Sequence, residues 1–286
     1  MITIKSPATS ANLGPGFDTF GIALKLYNEF EVDLCKNLKF KNVDYKYANK
    51  NNLFVVGFDR VAKILHKKIS CYVKYKKINI PFCRGLGSSA SLIVSGAVSA
   101  NYLLGNKLDK NELLKICSSI EGHPDNVASC IFGGFNYSLV DNNILLNNSI
   151  KISKKIYISI IIPNFFVSTK KARAVLSKQI PISDSVYNIS HSIFMIDALK
   201  YGDHNLLNIS CNDKIHIDKR KKLIPNFDYI KNLCIKKGAT AFTISGSGSS
   251  LIVFSKIPNF SKQIKLNDEY KILDLDVDYQ GTRVII

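Results

Sequence analysis

The sequence has no paired cysteine motif. Its seven cysteines, at positions 35, 71, 83, 117, 130, 211 and 234, contain no C-x-x-C and are odd in number. That argues against a disulfide frame or a zinc site and for reduced, mostly buried thiols. Long hydrophobic runs are missing too: the longest strongly apolar stretch, Ile156 to Ile162, falls far short of the roughly 20 residues that cross a bilayer. The start, M-I-T-I-K-S-P, lacks the apolar core of a signal peptide. A cytoplasmic protein without a membrane partner is therefore expected. Acidic residues are scarce, with 22 Asp and Glu against 39 Lys and Arg and a net charge of +17. A nucleic-acid partner would want a basic face interleaved with aromatics, or a recognisable module. Here the lysines fall in scattered pairs, Lys219 to Lys222 is the one four-residue basic run, and the chain is heavy in Asn and Ile. A compositional bias is the blander expected cause of the charge, a basic site for a polyanionic nucleotide is compatible with it, and no nucleic-acid partner is expected. Two common phosphate-binding patterns, G-x-x-x-x-G-K-[ST] and G-x-G-x-x-G, are also lacking.

What remains is a chain of 286 residues, 46% hydrophobic and 21% charged, with the balance of a globular protein and room for one large domain or two modest ones. Its organising stretch is Pro81 to Ser91, P-F-C-R-G-L-G-S-S-A-S. The segment before it, Cys71 to Ile80, alternates with a period near two and reads as a half-buried strand. The segment after it, about Ser89 to Leu104, is an apolar helix rich in Ala and Ser. Strand, glycine loop and helix start would aim free backbone N–H groups at one spot, which suits a phosphate. Taken alone the loop is equally a tight turn with a serine N-cap.

Other stretches carry chemistry in small space. Pro7 to Asp18, P-A-T-S-A-N-L-G-P-G-F-D, reads as a loop between a short strand, Ile2 to Lys5, and one long or two paired strands, Phe20 to Leu34. Asn52 to Lys67 has helical spacing with an Asn cap, and Asp109 caps a helix over Lys110 to Ser119. E-G-H-P-D-N-V-A follows from Glu121, packing Glu, His, Asp and Asn into six residues, odd for a plain turn. Asn142 to Asn148 reads as a polar hairpin or linker, which places a domain boundary near residue 150. In the second half, Thr169 and Arg173 share a face of a helix starting near Ser168, either solvated or functional. Ser190 to Leu207 reads as a scaffold helix, and Gly238 to Phe254 as strand, Gly/Ser loop and strand.

Six segments, in order from residue 7 to about 250, resemble the motifs of the GHMP kinases. P-x-x-x-G-L-G-S-S-A resembles the family's ATP loop, and the S-A-N-L-G-P-G-F-D and E-G-H-P-D-N-V-A forms resemble its homoserine kinase branch. S-T-x-x-A-R from Ser168, H-x-x-x-R-x-x-L-I-P from His216 and S-G-S-G-S-S from Ser245 continue the match. The resemblance implies an α+β, two-domain GHMP kinase fold. Residues 1–150 would be a ribosomal-protein-S5-like β-α domain carrying the ATP phosphate loop, and 151–286 a ferredoxin-like α+β domain. ATP and Mg2+ would meet L-homoserine in the cleft between them. By the same resemblance Pro81, Phe82, Cys83, Arg84, Gly85, Leu86, Gly87, Ser88, Ser89, Ala90 and Ser91 form the ATP loop, Ser89 and Glu121 hold the metal, and Gly246, Ser247 and Gly248 support the site. His123 borders the substrate, while Thr169, Arg173 and Arg220 reach it. Charge assigns the two arginines to a carboxylate and Asp18 to an ammonium, with Asn12 orienting the hydroxyl. Several members carry an aspartate base where this chain has Asn126, which cannot accept a proton. Transfer by positioning and metal alone is therefore expected. A homodimer is offered by the resemblance only. A kinase for a different alcohol, a binding protein that kept the fold, and a basic nucleic-acid binder are the rival readings.

Overall fold

The structure, a computed structural model, describes residues 1–285. Its first half is built on β1 (Ile2–Ala11), β2 (Phe20–Cys35), β3 (Lys39–Lys41), β4 (Ser70–Ile78), β5 (Phe135–Asp141) and β6 (Ile144–Ile150). β2 is the hub. Its first residues pair with β5, its last with β4, and β1 runs antiparallel along its other edge. The P-A-T-S-A segment, expected in a loop, belongs to β1. Its small polar residues stay extended because Ala8 to Ala11 pair with Gly21 to Leu24. The Asn142 region is the turn of the β5–β6 hairpin.

Four helices, α1 (Leu53–Ile64), α2 (Ser88–Leu103), α3 (Lys110–Glu121) and α4 (Asp125–Phe132), belong to this half. α1 and α2 press backbone against backbone. A Cβ on Gly57 would lie 2.1 Å from the Ile93 carbonyl oxygen, and one on Gly96 would lie 1.9 Å from that of Phe54. This is why α2 is so rich in small residues. Phe30, Phe54, Phe58, Val61, Val73 and Ile93 fill the space between these helices and the sheet.

The second half contains β7 (Tyr157–Pro163), α5 (Thr169–Ala174), α6 (Ile182–Tyr201), α7 (His204–Ser210), α8 (Ile217–Arg220), α9 (Phe227–Lys236), β8 (Ala239–Ile244), β9 (Leu251–Ser255) and β10 (Tyr270–Asp274). Its four strands order as β10-β7-β9-β8, all antiparallel. Ile158 and Ile160 share a core cluster with Met195 and Leu199 of α6, whereas Ile161 shares one with Phe227 and Ile230 of α9. Burial on both faces explains the consecutive isoleucines Ile160 to Ile162 of β7. The helix expected over Ser190 to Leu207 begins earlier and breaks. Gly202, at φ +73°, ends α6, and Asp203 caps α7. No helix among the described residues is long and apolar enough to cross a membrane.

The two halves share a core. Ala8, Leu13, Phe20, Ile22, Ile80 and Leu86 from the first pack in one cluster with Ile158, Met195, Leu207, Ile252 and Phe254 from the second. The chain then crosses back: Val277 bridges Leu24, and β11 (Arg283–Ile285) pairs antiparallel with β1, Thr3 facing Ile285.

Candidate active site

Two glycines set the phosphate loop. Gly87, at φ +65°, leads into α2, and a Cβ there would lie 1.8 Å from Thr9 Oγ1. Gly85, at φ +72°, passes so close to the second half that its Cβ would lie 2.1 Å from the Ser245 carbonyl oxygen. Both positions exclude side chains by contact as well as by backbone conformation. The first-turn amides of α2 are left without helical acceptors and face the cleft.

The expected eleven-residue loop divides by role. Cys83, Gly85, Gly87, Ser88 and Ser89 line the cleft. Leu86, Ala90 and Ser91 are buried and carry it from behind. Arg84 bonds the carbonyls of Pro163 (3.1 Å), Asn164 (2.6 Å) and Phe82 (3.2 Å), fastening the loop to the end of β7. Its guanidinium is committed to backbone. Pro81 and Phe82 precede the cleft-lining Cys83, and the exposed Phe82 ring stacks near the exposed ring of Tyr47, centroids 6.4 Å apart at 27°.

Behind the loop, Ser89 Oγ donates to the carboxylate of Glu121, the last residue of α3. Burial pushes the Glu121 carboxyl up, while the Ser89 bond pulls it back. Gly122, left-handed at φ +93°, turns the chain so that α4 starts beside it. The buried Asp125 accepts from the Asn126 amide at 2.6 Å and holds His123 Nδ1 at 2.5 Å. Burial pulls His123 down, but the Asp125 bond and the charges of Asp125, Glu121 and Asp18 outweigh it, so the imidazole holds its proton more tightly than usual. Thr9 Oγ1 donates to Asn126 Oδ1 at 2.7 Å, which turns the Asn126 NH2, a donor, the other way.

The opposite wall is built by residues of both halves. Asp18 and Arg173 form a bidentate pair at 2.9 and 2.8 Å, so the residues expected to take an ammonium and a carboxylate hold each other. Thr169 meets Ser247 at 3.3 Å. Asn12 is buried; its Nδ2 donates to the Gly246 carbonyl at 2.7 Å and its Oδ1 accepts from the Asp18 amide at 3.0 Å, leaving one N–H and one lone pair. Arg220 is only 2% exposed. It donates to the carbonyls of Ala172 (3.2 Å) and Gly246 (3.1 Å), and lies 3.5 Å from His216 Nδ1. His216 is fully buried, its Nε2 is 2.9 Å from the Gly14 carbonyl, and burial holds its pKa below the usual range. Burial, then Arg173, lowers the Arg220 pKa to about 10.

The Gly246-Ser247-Gly248 loop ties these walls together. Ser245 Oγ bonds Gly85 O at 2.6 Å, Gly246 N bonds Ala11 O at 3.0 Å, and Ser250 N bonds Arg84 O at 3.0 Å. Ser249, where the resembled motif often has proline, donates to the Phe165 carbonyl at 2.6 Å. Sequence reasoning missed Thr9, Tyr47, Asp125, His216 and Ser245. Asp125 and His216 lay inside quoted motifs and could have been found there; Tyr47 had no local signal. A larger groove, on the side of Lys25, Tyr157 and Asp276, holds the Lys25–Asp276 pair at 3.1 Å and none of these groups.

A family model described as the GHMP kinases N terminal domain matches residues 54–134, and one described as GHMP kinases C terminal matches residues 195–265. A homoserine kinase from Clostridium botulinum is 41% identical over 293 aligned positions, covering 99% of this chain and 98% of the relative. The crystal structure of a homoserine kinase from Cytophaga hutchinsonii superposes with a TM-score of 0.88 at 29% identity, covering 99% and 97% of the two chains. A mevalonate kinase from L. major, at 15% identity and a TM-score of 0.70 with 97% and 96% coverage, shares the fold alone. With its glycine loop, its two-sheet cleft and full-length relatives of this kind, the chain belongs to the GHMP kinase family, within its homoserine kinases.

Proposed function

We propose that this protein transfers the γ-phosphoryl group of ATP to the side-chain hydroxyl of L-homoserine, giving O-phospho-L-homoserine for threonine synthesis. The observation that carries the substrate is Arg220. It is a cation almost wholly removed from water, bonded to backbone carbonyls and a neutral imidazole, with no ion-pair partner among the described residues. A buried charge without a counter-charge is costly. A substrate carboxylate supplies the missing partner in the bidentate geometry that a guanidinium favours. Asp18 faces the same space and takes the adjacent ammonium. The zwitterion thereby trades the internal Asp18–Arg173 pair for contacts with itself.

The phosphates lie against the α2 amides and the backbone of Gly85 to Ser89. The planar base enters between Tyr47 and Phe82, whose rings stand 6.4 Å apart at 27°. Ser89 and Glu121 are oxygen donors in contact at the cleft wall. That set fits a small hard cation which draws its other ligands from phosphate and water, and Mg2+ there would neutralise charge on the phosphate oxygens. Asn126, oriented by Thr9, donates to the reacting oxygens, and Asn12 steers the hydroxyl with its remaining groups. No side chain at this point is a free base: Asn126 cannot accept a proton, and His123 is engaged by Asp125. In-line alignment and charge neutralisation carry the step, and the proton leaves late, to phosphate.

The test is ADP release with ATP and Mg2+, offering L-homoserine beside L-threonine, L-serine, mevalonate and galactose. Homoserine-dependent turnover is expected, with kcat/KM for homoserine falling about 10²-fold or more in Arg220→Ala and KM for ATP unchanged. Turnover of mevalonate or galactose instead would overturn the substrate pocket, and no turnover at all would overturn the kinase reading.

A further inference from the structure

Arg173 and Arg220 pose a problem of like charge. Both guanidinium groups face one cleft, and the proximity of Arg173 is one cause of the lowered Arg220 pKa. Asp18 pairs with Arg173 through both oxygens, and Arg220 has no ion pair among the described residues. The ring of Phe17 is near both: the Arg173 guanidinium carbon sits over it at 5.7 Å from the centroid, and that of Arg220 at 5.1 Å. Both distances fall within the roughly 6 Å over which a cation is drawn to an aromatic face. The same ring approaches His216 at 5.5 Å, tilted by 38°.

The loop carrying Phe17 is clamped from the second half. Gly14 O meets His216 Nε2 at 2.9 Å, and Pro15 O accepts from Asn188 Nδ2 (3.3 Å) and Ser192 Oγ (3.1 Å). A Cβ on Gly14 would lie 2.3 Å from the Cys211 carbonyl oxygen, so the loop sits directly on the helices beneath. Asn12, Leu13, Gly14 and Asp18 all have positive φ, a tight path that fixes where residue 17 points. The ring is therefore placed by its clamped backbone, with two cations within reach of its π system.

We propose that Phe17 is a positioning residue: its π face holds the guanidinium groups of Arg173 and Arg220 together as one anion-binding site for the substrate carboxylate. The inference rests on the carboxylate assignment made above for these arginines. Phe17 supplies electron density to both cations without being an anion, so it gathers them without filling the place the carboxylate must occupy. A carboxylate at position 17 would neutralise the site, and an aliphatic side chain would fill the volume but leave the two charges to separate.

The test replaces Phe17 with 4-fluoro-, 3,5-difluoro- and 3,4,5-trifluorophenylalanine by stop-codon suppression. The series drains the ring face of electron density while nearly keeping its shape. Binding of L-2-aminobutyrate, which keeps the carboxylate and ammonium but has no hydroxyl to phosphorylate, is read by calorimetry, and KM for homoserine and for ATP by ADP release. Affinity should weaken stepwise, about tenfold by the trifluoro ring, with KM for homoserine rising in parallel and KM for ATP unchanged. Phe17→Tyr should stay near the parent and Phe17→Leu should fall at least as far as the trifluoro ring. A flat series, or equal loss of homoserine and ATP affinity, would overturn the proposal. If the parent protein bound 2-aminobutyrate with the expected fluorine dependence yet failed to phosphorylate homoserine, the function proposed above would fall while the role of Phe17 stood. Absence of binding by the parent would overturn both.

Discussion

A single absent methyl group at Gly87 decides whether the phosphate loop can close on β1. The space for it is already taken by Thr9 Oγ1 at 1.8 Å, with Asn126 Oδ1 at 3.1 Å. Gly87→Ala must therefore displace the hydroxyl that orients Asn126, besides straining a left-handed residue. Steady-state kinetics should show kcat/KM lower by about 10²-fold, the usual cost of misplacing reacting groups by about 1 Å, with circular dichroism unchanged. Such a loop was legible because glycine and serine report their own backbone demands. Arg173 and Arg220 were legible as cations but not as different ones. One is half exposed and paired with Asp18, the other buried beneath Phe17, and both partners sit more than 150 positions away in sequence. Tyr47 was silent because the ring it stacks near, Phe82, lies in a different segment of the chain.

Elements with local signals came through well. Asn52 caps α1 as its sequence position suggested, accepting from the Phe54 amide at 3.0 Å, and Asp109 with Glu112 makes a full capping box on α3. The structure adds that Asn52 Oδ1 also receives the Tyr75 hydroxyl (3.1 Å) and its Nδ2 holds the Tyr47 carbonyl (2.9 Å). Asn52→Ala removes all three. Urea unfolding should show a loss of about 2 kcal/mol, the upper end for a cap, because the buried Tyr75 hydroxyl loses its acceptor. Elements whose form is imposed by neighbours were less legible. The second half of β1 carries proline and small polar residues and becomes strand only against β2. The split between α6 and α7 turns on Gly202, where a Cβ would lie 2.5 Å from Ser153 Oγ, a contact invisible along the chain.

At the scale of the molecule, the halves meet through shared apolar packing and the seam joining Ser245, Gly246 and Ser250 to the phosphate loop and β1, so the cleft is a fixed frame. His216 sits in this frame with Asp213 3.9 Å away, Arg220 beside it and Asp18 near. Burial keeps it neutral in the folded protein, whereas an unfolded histidine protonates near pH 6.5. Below that pH the unfolded chain binds a proton that the folded one refuses, so stability is full above about 6.5 and declines as pH falls. His123, shifted upward, contributes with the opposite sign: its share is lost as pH rises through its folded pKa. Thermal midpoints measured from pH 7.5 to 5.5 should therefore fall more steeply in the parent than in His216→Gln. Equal slopes would show that His216 takes up its proton without unfolding. The overall α+β, two-sheet plan was legible through its motifs, but the pairing of β11 with β1 was not, because neither strand carries a mark of its partner. That pairing has a consequence for synthesis. Thr3 leaves the ribosome well before its partner Ile285, a delay of roughly 15–60 s for the intervening residues at ordinary elongation rates. Throughout that interval the outer edge of β1 is an open row of hydrogen-bonding groups, available to chaperones or to another nascent copy. Of the strands among the described residues, the earliest made is closed last.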